Sequence, residues 1–222
     1  MRCVSSERKT ALLTQFARVG KAMASPTRLE LLDLLAQAER SVEALAAAAR
    51  MPVGNTSAQL RALHAAGMVT SRRVGARVFY RLASGEVAGL YRALCEVART
   101  HLPDAEAARL AYLGSDEPAE PVSRPELLRR AAAGEVLVMD VRPAEEYAAG
   151  HIPGALSVPL GELPARLDAL PEGLEIVAYC RGAYCVLARD AVRLLRVRRR
   201  AARHLQDGML EWRLAGLPVE AA

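Results

Sequence analysis

With 222 residues the chain is long enough for one large domain or two small ones, and its net charge of +5 is unevenly spread: Lys and Arg outnumber Asp and Glu by 15 to 7 over residues 1–100 but trail them by 15 to 18 over residues 101–222. No run of eighteen apolar residues exists, which excludes a membrane-spanning helix, and Arg2, Glu7, Arg8, Lys9 and Arg18 break the apolar stretch a signal peptide needs, so a soluble cytoplasmic chain without a membrane partner is expected. A basic first half points to an anionic partner, nucleic acid before membrane surface, because Lys and Arg replace counterions condensed along a phosphate backbone.

From Ser25 the chain reads SPTRLELLDLLAQ, in which Ser25 is placed as N-cap and Pro26 as first helical residue, with Leu29, Leu31, Leu32, Leu34 and Leu35 giving a broad buried face. Ser41 caps a short helix VEALAAAAR, a turn follows at Met51-Pro52-Val53, and a second helix NTSAQLRALHAAG ends with Gly67 at C′. Two helices joined by a tight turn form a helix-turn-helix. In the second helix Leu60 and Leu63 point inward, flanked by Val53 and Val69. Asn55, Thr56, Ser57, Gln59, Arg61 and His64 are left for the outer face, as short hydrogen-bonding groups and cations suited to base edges and phosphate. A polar outer face is also what any amphipathic helix shows. The next segment, MVTSRRVGARVFYRL, is decisive: strand-forming arms on either side of Val74-Gly75-Ala76 make a β-hairpin carrying Arg72, Arg73, Arg77 and Arg81, a basic wing beside the helix pair.

Over roughly residues 10–100 these segments resemble the ArsR family of small dimeric winged-helix repressors. The resemblance implies a homodimer reading a palindromic double-stranded DNA operator, with Ser57, Gln59 and Arg61 as leading contacts and the wing arginines in support. The family often carries a metal-binding cysteine motif in the helix before the recognition helix. Here that helix reads VEALAAAAR, without Cys, His or Asp, which argues against metal sensing at that place. Cys3 and Cys95 are the thiols of this half. In the family both regions lie near the dimer interface and some relatives sense reactive sulfur through cysteine pairs, so a Cys3–Cys95 thiol switch is one reading. The other is that Cys95 is a small apolar residue on the helix face of Leu90, Leu94, Val97 and Ala98.

After His101-Leu102-Pro103 comes a short helical stretch, DAEAARLAYL, and then GSDEPAEPVSRPE, rich in Pro and acidic residues, which reads as a linker. The expected organisation is a DNA-binding and dimerisation domain over 1–101, a linker over 102–121 and a second domain over 122–222.

Residues 122–222 alternate helix and strand: PELLRRAAAG, EVLVMDVR, a loop to HIPGA, LSVP, GELPARLDAL, EIVAYC and VLARDAVRLLRVRRR. Such alternation implies a parallel sheet covered by helices, with ligands at the carboxyl ends of the strands, where Asp140, His151 and Cys180 fall. Cys180 ends a strand, and Arg181-Gly182-Ala183-Tyr184-Cys185 separates it from a helix beginning near Val186. Backbone N–H groups at a helix amino end favour a thiolate, and Gly182 lets the loop curl around the sulfur.

Four motifs in order resemble the rhodanese family across nearly all of this half: DVR at Asp140–Arg142, HIPGA at His151–Ala155, the six-residue loop CRGAYC, and DGMLEW with GLPVE. The resemblance implies that Cys180 accepts a sulfane sulfur from thiosulfate, a persulfide or a polysulfide as Cys-S-S⁻. Arg181 and the loop Gly182, Ala183, Tyr184 and Cys185 would bind the donor, and Asp140 and Arg142 would support the loop. His151 reads as the residue that pins the HIPGA loop by a hydrogen bond. Two departures stand out: Asp207 replaces a frequent glycine, and VRRRAARHL lacks the glycine usual between the last long helix and its strand. A related phosphatase fold uses Cys-x5-Arg, but the sixth residue beyond Cys180 is Val186, so that chemistry is not expected. Cys185 leaves two readings open, a thiol that attacks the Cys180 persulfide or a residue turned toward the helix.

The expected fold is therefore a mainly α winged helix-turn-helix followed by an α/β rhodanese fold with a central parallel sheet. The expected function is transcriptional repression linked to reactive sulfur, without a metal or cofactor: the four cysteines show none of the paired zinc spacings and the four histidines are scattered. The alternatives are a sulfurtransferase that uses the winged helix only to dimerise, and a metalloid-responsive repressor using Cys3 and Cys95 as soft ligands.

Overall fold

Residues 4–114 and 120–221 are described by the computed structural model, and their contacts fall into two units, Met1–Ala93 and Leu94–Ala222. In the first, α1 (Val4–Met23) precedes α2 (Pro26–Gln37), β1 (Arg40–Ser41), α3 (Val42–Ala48), α4 (Val53–Ala65), β2 (Val69–Val74), β3 (Arg77–Leu82) and the start of α5 (Gly85–His101). Pro26 opens α2 as expected. The Ser25 hydroxyl makes no cap bond, however, and only its carbonyl enters the helix, accepting from Arg28 and Leu29. Ser41 does cap α3, its hydroxyl accepting from the Ala44 N–H at 3.2 Å.

The helix from Asn55 begins two residues earlier than expected, at Val53, and Ala66 ends it, with Gly67 in the left-handed conformation (φ 73°) beyond the cap. Val53, expected to flank the core, is exposed, whereas Val69 is buried with Leu60 and Leu63 against Leu31, Leu32, Leu34 and Leu35 of α2. The hairpin forms as expected, with a turn one residue tighter: Val74 belongs to β2 and pairs with Arg77 across Gly75-Ala76, with Gly75 at φ 58°. A third strand joins it, since β1 pairs antiparallel with β3 at Arg40–Tyr80 and Ser41–Phe79. This is the winged helix-turn-helix arrangement: helices with a small antiparallel sheet.

The second unit holds the end of α5, then α6 (Pro103–Leu113), α7 (Arg124–Ala132), β4 (Val136–Asp140), α8 (Ala144–Ala148), β5 (Leu156–Ser157), α9 (Leu163–Arg166), β6 (Glu175–Tyr179), α10 (Leu187–Val197), β7 (Ala202–His204) and α11 (Met209–Leu214). The sheet order is β5-β4-β6-β7, parallel throughout. Strand pleating sends alternate residues to two cores. Met139, Ile176, Ala178 and Cys180 face α9 and α10, while Val136, Val138, Val177 and Tyr179 face α7 and α11, where Leu127, Met209 and Trp212 are buried. The α10 residues Ala188, Ala191, Val192 and Leu195 recur at helical spacing on the first face.

Two expected helices shorten. GELPARLDAL is helical only from Leu163 and tightens into a 3-10 turn at Leu167–Ala169. VLARDAVRLLRVRRR stops at Val197, and Arg199 takes a left-handed conformation (φ 57°) where a glycine is usual. The missing glycine thus leaves the turn intact and places its strain on Arg199. No helix among the described residues is long and apolar enough to cross a membrane.

Candidate DNA interface and candidate sulfur site

The outer side of α4 presents Asn55, Arg61 and His64 fully and Ser57 and Gln59 in part. These polar groups are organised by one another: Gln59 donates to Asn55 Oδ1 at 3.3 Å, and Arg61 donates to Ser57 Oγ at 2.9 Å, each across one turn. Arg28, which sequence reasoning did not single out, donates to Gln59 Oε1 at 3.0 Å and fixes that amide from α2. Thr56 does not belong to the set. Its side chain is fully buried and its hydroxyl is spent on the Pro52 carbonyl at 3.1 Å, so it anchors the first turn instead of facing a groove. Polarity alone assigned it outward; its place one hundred degrees round from Asn55 turns it in.

On the wing, Arg73 and Arg77 are exposed, and Arg73 braces the turn by donating to the Gly75 carbonyl at 3.0 Å. Arg72 is also exposed but is paired with Glu39 and lies over the Phe79 ring. Cys3 lies outside the described residues, so a Cys3–Cys95 pairing has no geometry here. Cys95 is half-buried in the second unit, where its charge and that of Glu96 help raise the Tyr184 hydroxyl, after burial.

At the carboxyl edge of the parallel sheet, β4 and β6 end side by side, Asp140 opposite Tyr179. Asp140 and Arg142 form a fully buried ion pair at 2.6 Å, and Arg142 also donates to the Gly150 carbonyl at 2.8 Å while lying over the Tyr179 ring. The Tyr179 hydroxyl accepts the Ile152 N–H at 3.0 Å. Together these tie the HIPGA loop to the strand that delivers Cys180. His151 stacks on Tyr147 at 3.7 Å with Nδ1 3.0 Å from the Tyr147 carbonyl, and its backbone exchanges two hydrogen bonds with Glu220.

Cys180 is 3% exposed, and the loop residues Arg181 to Cys185 are half-buried around it. Its sulfur is 3.4 Å from the Cys185 carbonyl and 4.0 Å from that of Gly182, and receives the Gly182 and Ala188 amides. Cys185 packs on the same apolar cluster, and its sulfur receives the Arg181 and Leu187 amides. Leu187 and Ala188 open α10, so both sulfurs occupy the electropositive end of one helix. The expectation of an easily ionised Cys180 nevertheless fails in this closed loop. Burial pushes the Cys180 thiol well up, and its hydrogen bond with Cys185 adds to the shift; that same bond, with the amides, brings the Cys185 thiol below its usual range.

Arg181 needs revision as a donor-anion ligand. Its guanidinium is clamped by the fully buried Glu146 at 2.7 and 3.0 Å, so the pair carries no net charge toward an incoming anion. Glu146 anchors the loop to α8 through it. A second unforeseen carboxylate, Glu211, accepts the Gly208 N–H at 3.0 Å and the Ala183 amide, and burial pushes its carboxyl pKa above the ordinary value. The first turn of α11 completes the grip: Met209 and Leu210 donate to the Cys180 and Arg181 carbonyls at 2.9 and 2.8 Å. Gly208 has no alternative, since a Cβ there would stand 2.4 Å from the Gly182 nitrogen. DGMLEW signalled this region but not which residues touch the loop; Asp207 pairs with Arg124 at 2.7 Å.

Residues 25–71 match the family described as bacterial regulatory protein, arsR family, and residues 123–215 match the rhodanese-like domain. The chain is 56% identical over 215 residues to the HTH-type transcriptional regulator Rv0324 of Mycobacterium tuberculosis, covering 97% of this chain and 94% of that protein. It is 34% identical over 94 residues to a sulfurtransferase of Allochromatium vinosum, covering 42% of this chain and 86% of that one. Among solved structures, the homodimeric winged helix-turn-helix DNA-binding domain Mb0332 of Mycobacterium bovis is 52% identical, covering 44% of this chain and 90% of that one, with a TM-score of 0.41.

Proposed function

Since the chain belongs to the ArsR-family transcriptional regulators that carry a C-terminal rhodanese domain, we propose that it is a cytoplasmic homodimeric repressor whose Cys180 takes up sulfane sulfur and thereby reports reactive sulfur to the DNA-binding half. Asn55, Ser57, Gln59, Arg61 and His64 read the operator, with Arg73 and Arg77 on phosphate. Leu90, Leu94 and Val97 of α5, and Leu12, Leu13 and Phe16 of α1, are exposed and apolar, and two copies would cover them in a dimer. The functional domains are 1–101 and 122–222.

The observation that carries the sulfur reading is Cys180 itself, held at the sheet edge among the Gly182 and Ala188 amides, which suit the anionic outer sulfur of a persulfide. Thiosulfate would transfer its outer sulfur to the Cys180 thiolate and leave as sulfite. A sulfurtransferase that uses the winged helix only to dimerise is the second reading, favoured by the likeness of this half to the A. vinosum sulfurtransferase.

One experiment separates them: intact mass and binding to promoter DNA, with and without a sulfane-sulfur donor, for the wild type, Cys180→Ala and Cys3→Ala/Cys95→Ala. Our reading expects sulfur uptake, seen as an adduct of about 32 Da or as the products of its further reaction, and loss of DNA binding, both absent only in Cys180→Ala. DNA release that persists in Cys180→Ala but fails without Cys3 and Cys95 would move sensing to the first domain. An adduct with no effect on DNA would leave an enzyme.

A further inference from the structure

Beyond its place in the loop expected to hold the donor, Cys185 has no chemical task in the persulfide reading, yet the fold brings it to Cys180. A turn closed by the Cys185 N–H on the Gly182 carbonyl, at 3.0 Å, folds the six-residue loop back on itself, and the Cys180 sulfur then lies 3.4 Å from the Cys185 main chain. The two thiols share a hydrogen bond, pack on one apolar cluster and draw on consecutive amides at the start of α10. A persulfide formed on Cys180 therefore arises with a second thiol already inside the loop.

From this juxtaposition, and resting on the reading of Cys180 as the sulfur acceptor, we infer that Cys185 is a resolving thiol that converts the Cys180 persulfide into a Cys180–Cys185 disulfide with release of hydrosulfide. The Cys185 sulfur attacks the inner sulfur of Cys180-S-S⁻; the new bond joins the two side-chain sulfurs, and the bond to the outer sulfur breaks. The outer sulfur leaves with both electrons of the broken bond and with the proton given up by the Cys185 thiol, as HS⁻. The sulfane sulfur is reduced and the two cysteine sulfurs are oxidised, so no outside oxidant is needed, and a small-molecule thiol restores the dithiol. Cys180 is buried and Cys185 half-buried in the same loop, and the Arg181 and Leu187 amides at the Cys185 sulfur favour its thiolate over the thiol. The product state is a covalently closed loop that lasts until a small-molecule thiol reduces it.

The test uses the full chain in a Cys3→Ala/Cys95→Ala background, so that the loop thiols are the only ones present, reduced, freed of reductant and given thiosulfate with no added thiol. We expect about one hydrosulfide per chain, a mass lower by about 2 Da and a Cys180–Cys185 cross-linked peptide, with a rate independent of protein concentration. Adding Cys185→Ala should leave a stable adduct of about 32 Da and no hydrosulfide. A persulfide that persists beside an intact Cys185, or hydrosulfide release undiminished in Cys185→Ala, overturns the resolving role while sparing Cys180 as acceptor. If neither form gains sulfur or releases hydrosulfide, the acceptor reading itself falls, and the resolving role with it.

Discussion

A buried polar group is defined by its partner, and the side chains around Cys180 show how much depends on single pairings. Removing Asp140 strands the Arg142 guanidinium in a site where both are wholly shielded from water, so Asp140→Ala should destabilise the second domain by about 3–5 kcal/mol, read as a lower urea midpoint for that transition. The Cys180 thiol offers a subtler test. Of the influences that raise it, burial remains in Cys185→Ala, but the hydrogen bond and the charge of Cys185 are lost. The thiolate then forms more easily, so alkylation of Cys180 by iodoacetamide should begin at lower pH in the variant than in the wild type. An unchanged profile would mean that burial alone sets this thiol. The nucleophile was legible because a cysteine between a strand and a helix is a strong pattern. Its carboxylate supports were not: Glu146 sits in a string of acidic and small residues that reads as surface, and nothing local tells that Arg181 folds onto it. Thr56 failed for the opposite reason, a polar residue whose helical phase places it inside.

Among the elements, punctuation was the most readable feature. Gly67 ends α4 in the conformation its position predicts and has open space where a Cβ would go. Gly67→Ala should therefore cost only the backbone term, roughly 1–2 kcal/mol, in thermal unfolding of the first domain. Gly208→Ala is the contrasting case: its Cβ meets the backbone of the active loop, which cannot swing aside as a flexible side chain would. That variant should lower the melting temperature and abolish sulfur uptake together, as melting curves and intact mass would show. α1 was missed because its charges mask a mostly solvated helix, and β1 because two residues carry no period. The tightening after α9 was hidden because Leu163, Leu167 and Leu170 enter the core at i, i+4 and i+7, the spacing of one α-helical face, so the pattern reads as an unbroken helix.

For the whole molecule, the change in charge near residue 100 announced two parts with different partners, and the two family matches fall on either side of it. The basic character of the first half makes a quantitative claim. Arg61→Ala should weaken promoter binding and reduce the slope of log affinity against log salt by about one phosphate's worth, near 0.9, if the guanidinium contacts the backbone. A change in sequence preference at unchanged slope would place it on a base edge instead. Titrating DNA affinity from low to high salt distinguishes the two.

The clasp formed by α11 on the loop carries a consequence for how such proteins can be rebuilt. Six residues from Cys180 to Cys185 hold the chemistry, but their carbonyls and amides are completed by Gly208, Met209, Leu210 and Glu211. Loop and terminal helix form one cassette split across 22 intervening positions. Grafting the hexapeptide alone onto a foreign sheet would deliver two cysteines without their cradle; the graft must also bring α11, the first turn of α10 that supplies the Leu187 and Ala188 amides, and Glu146.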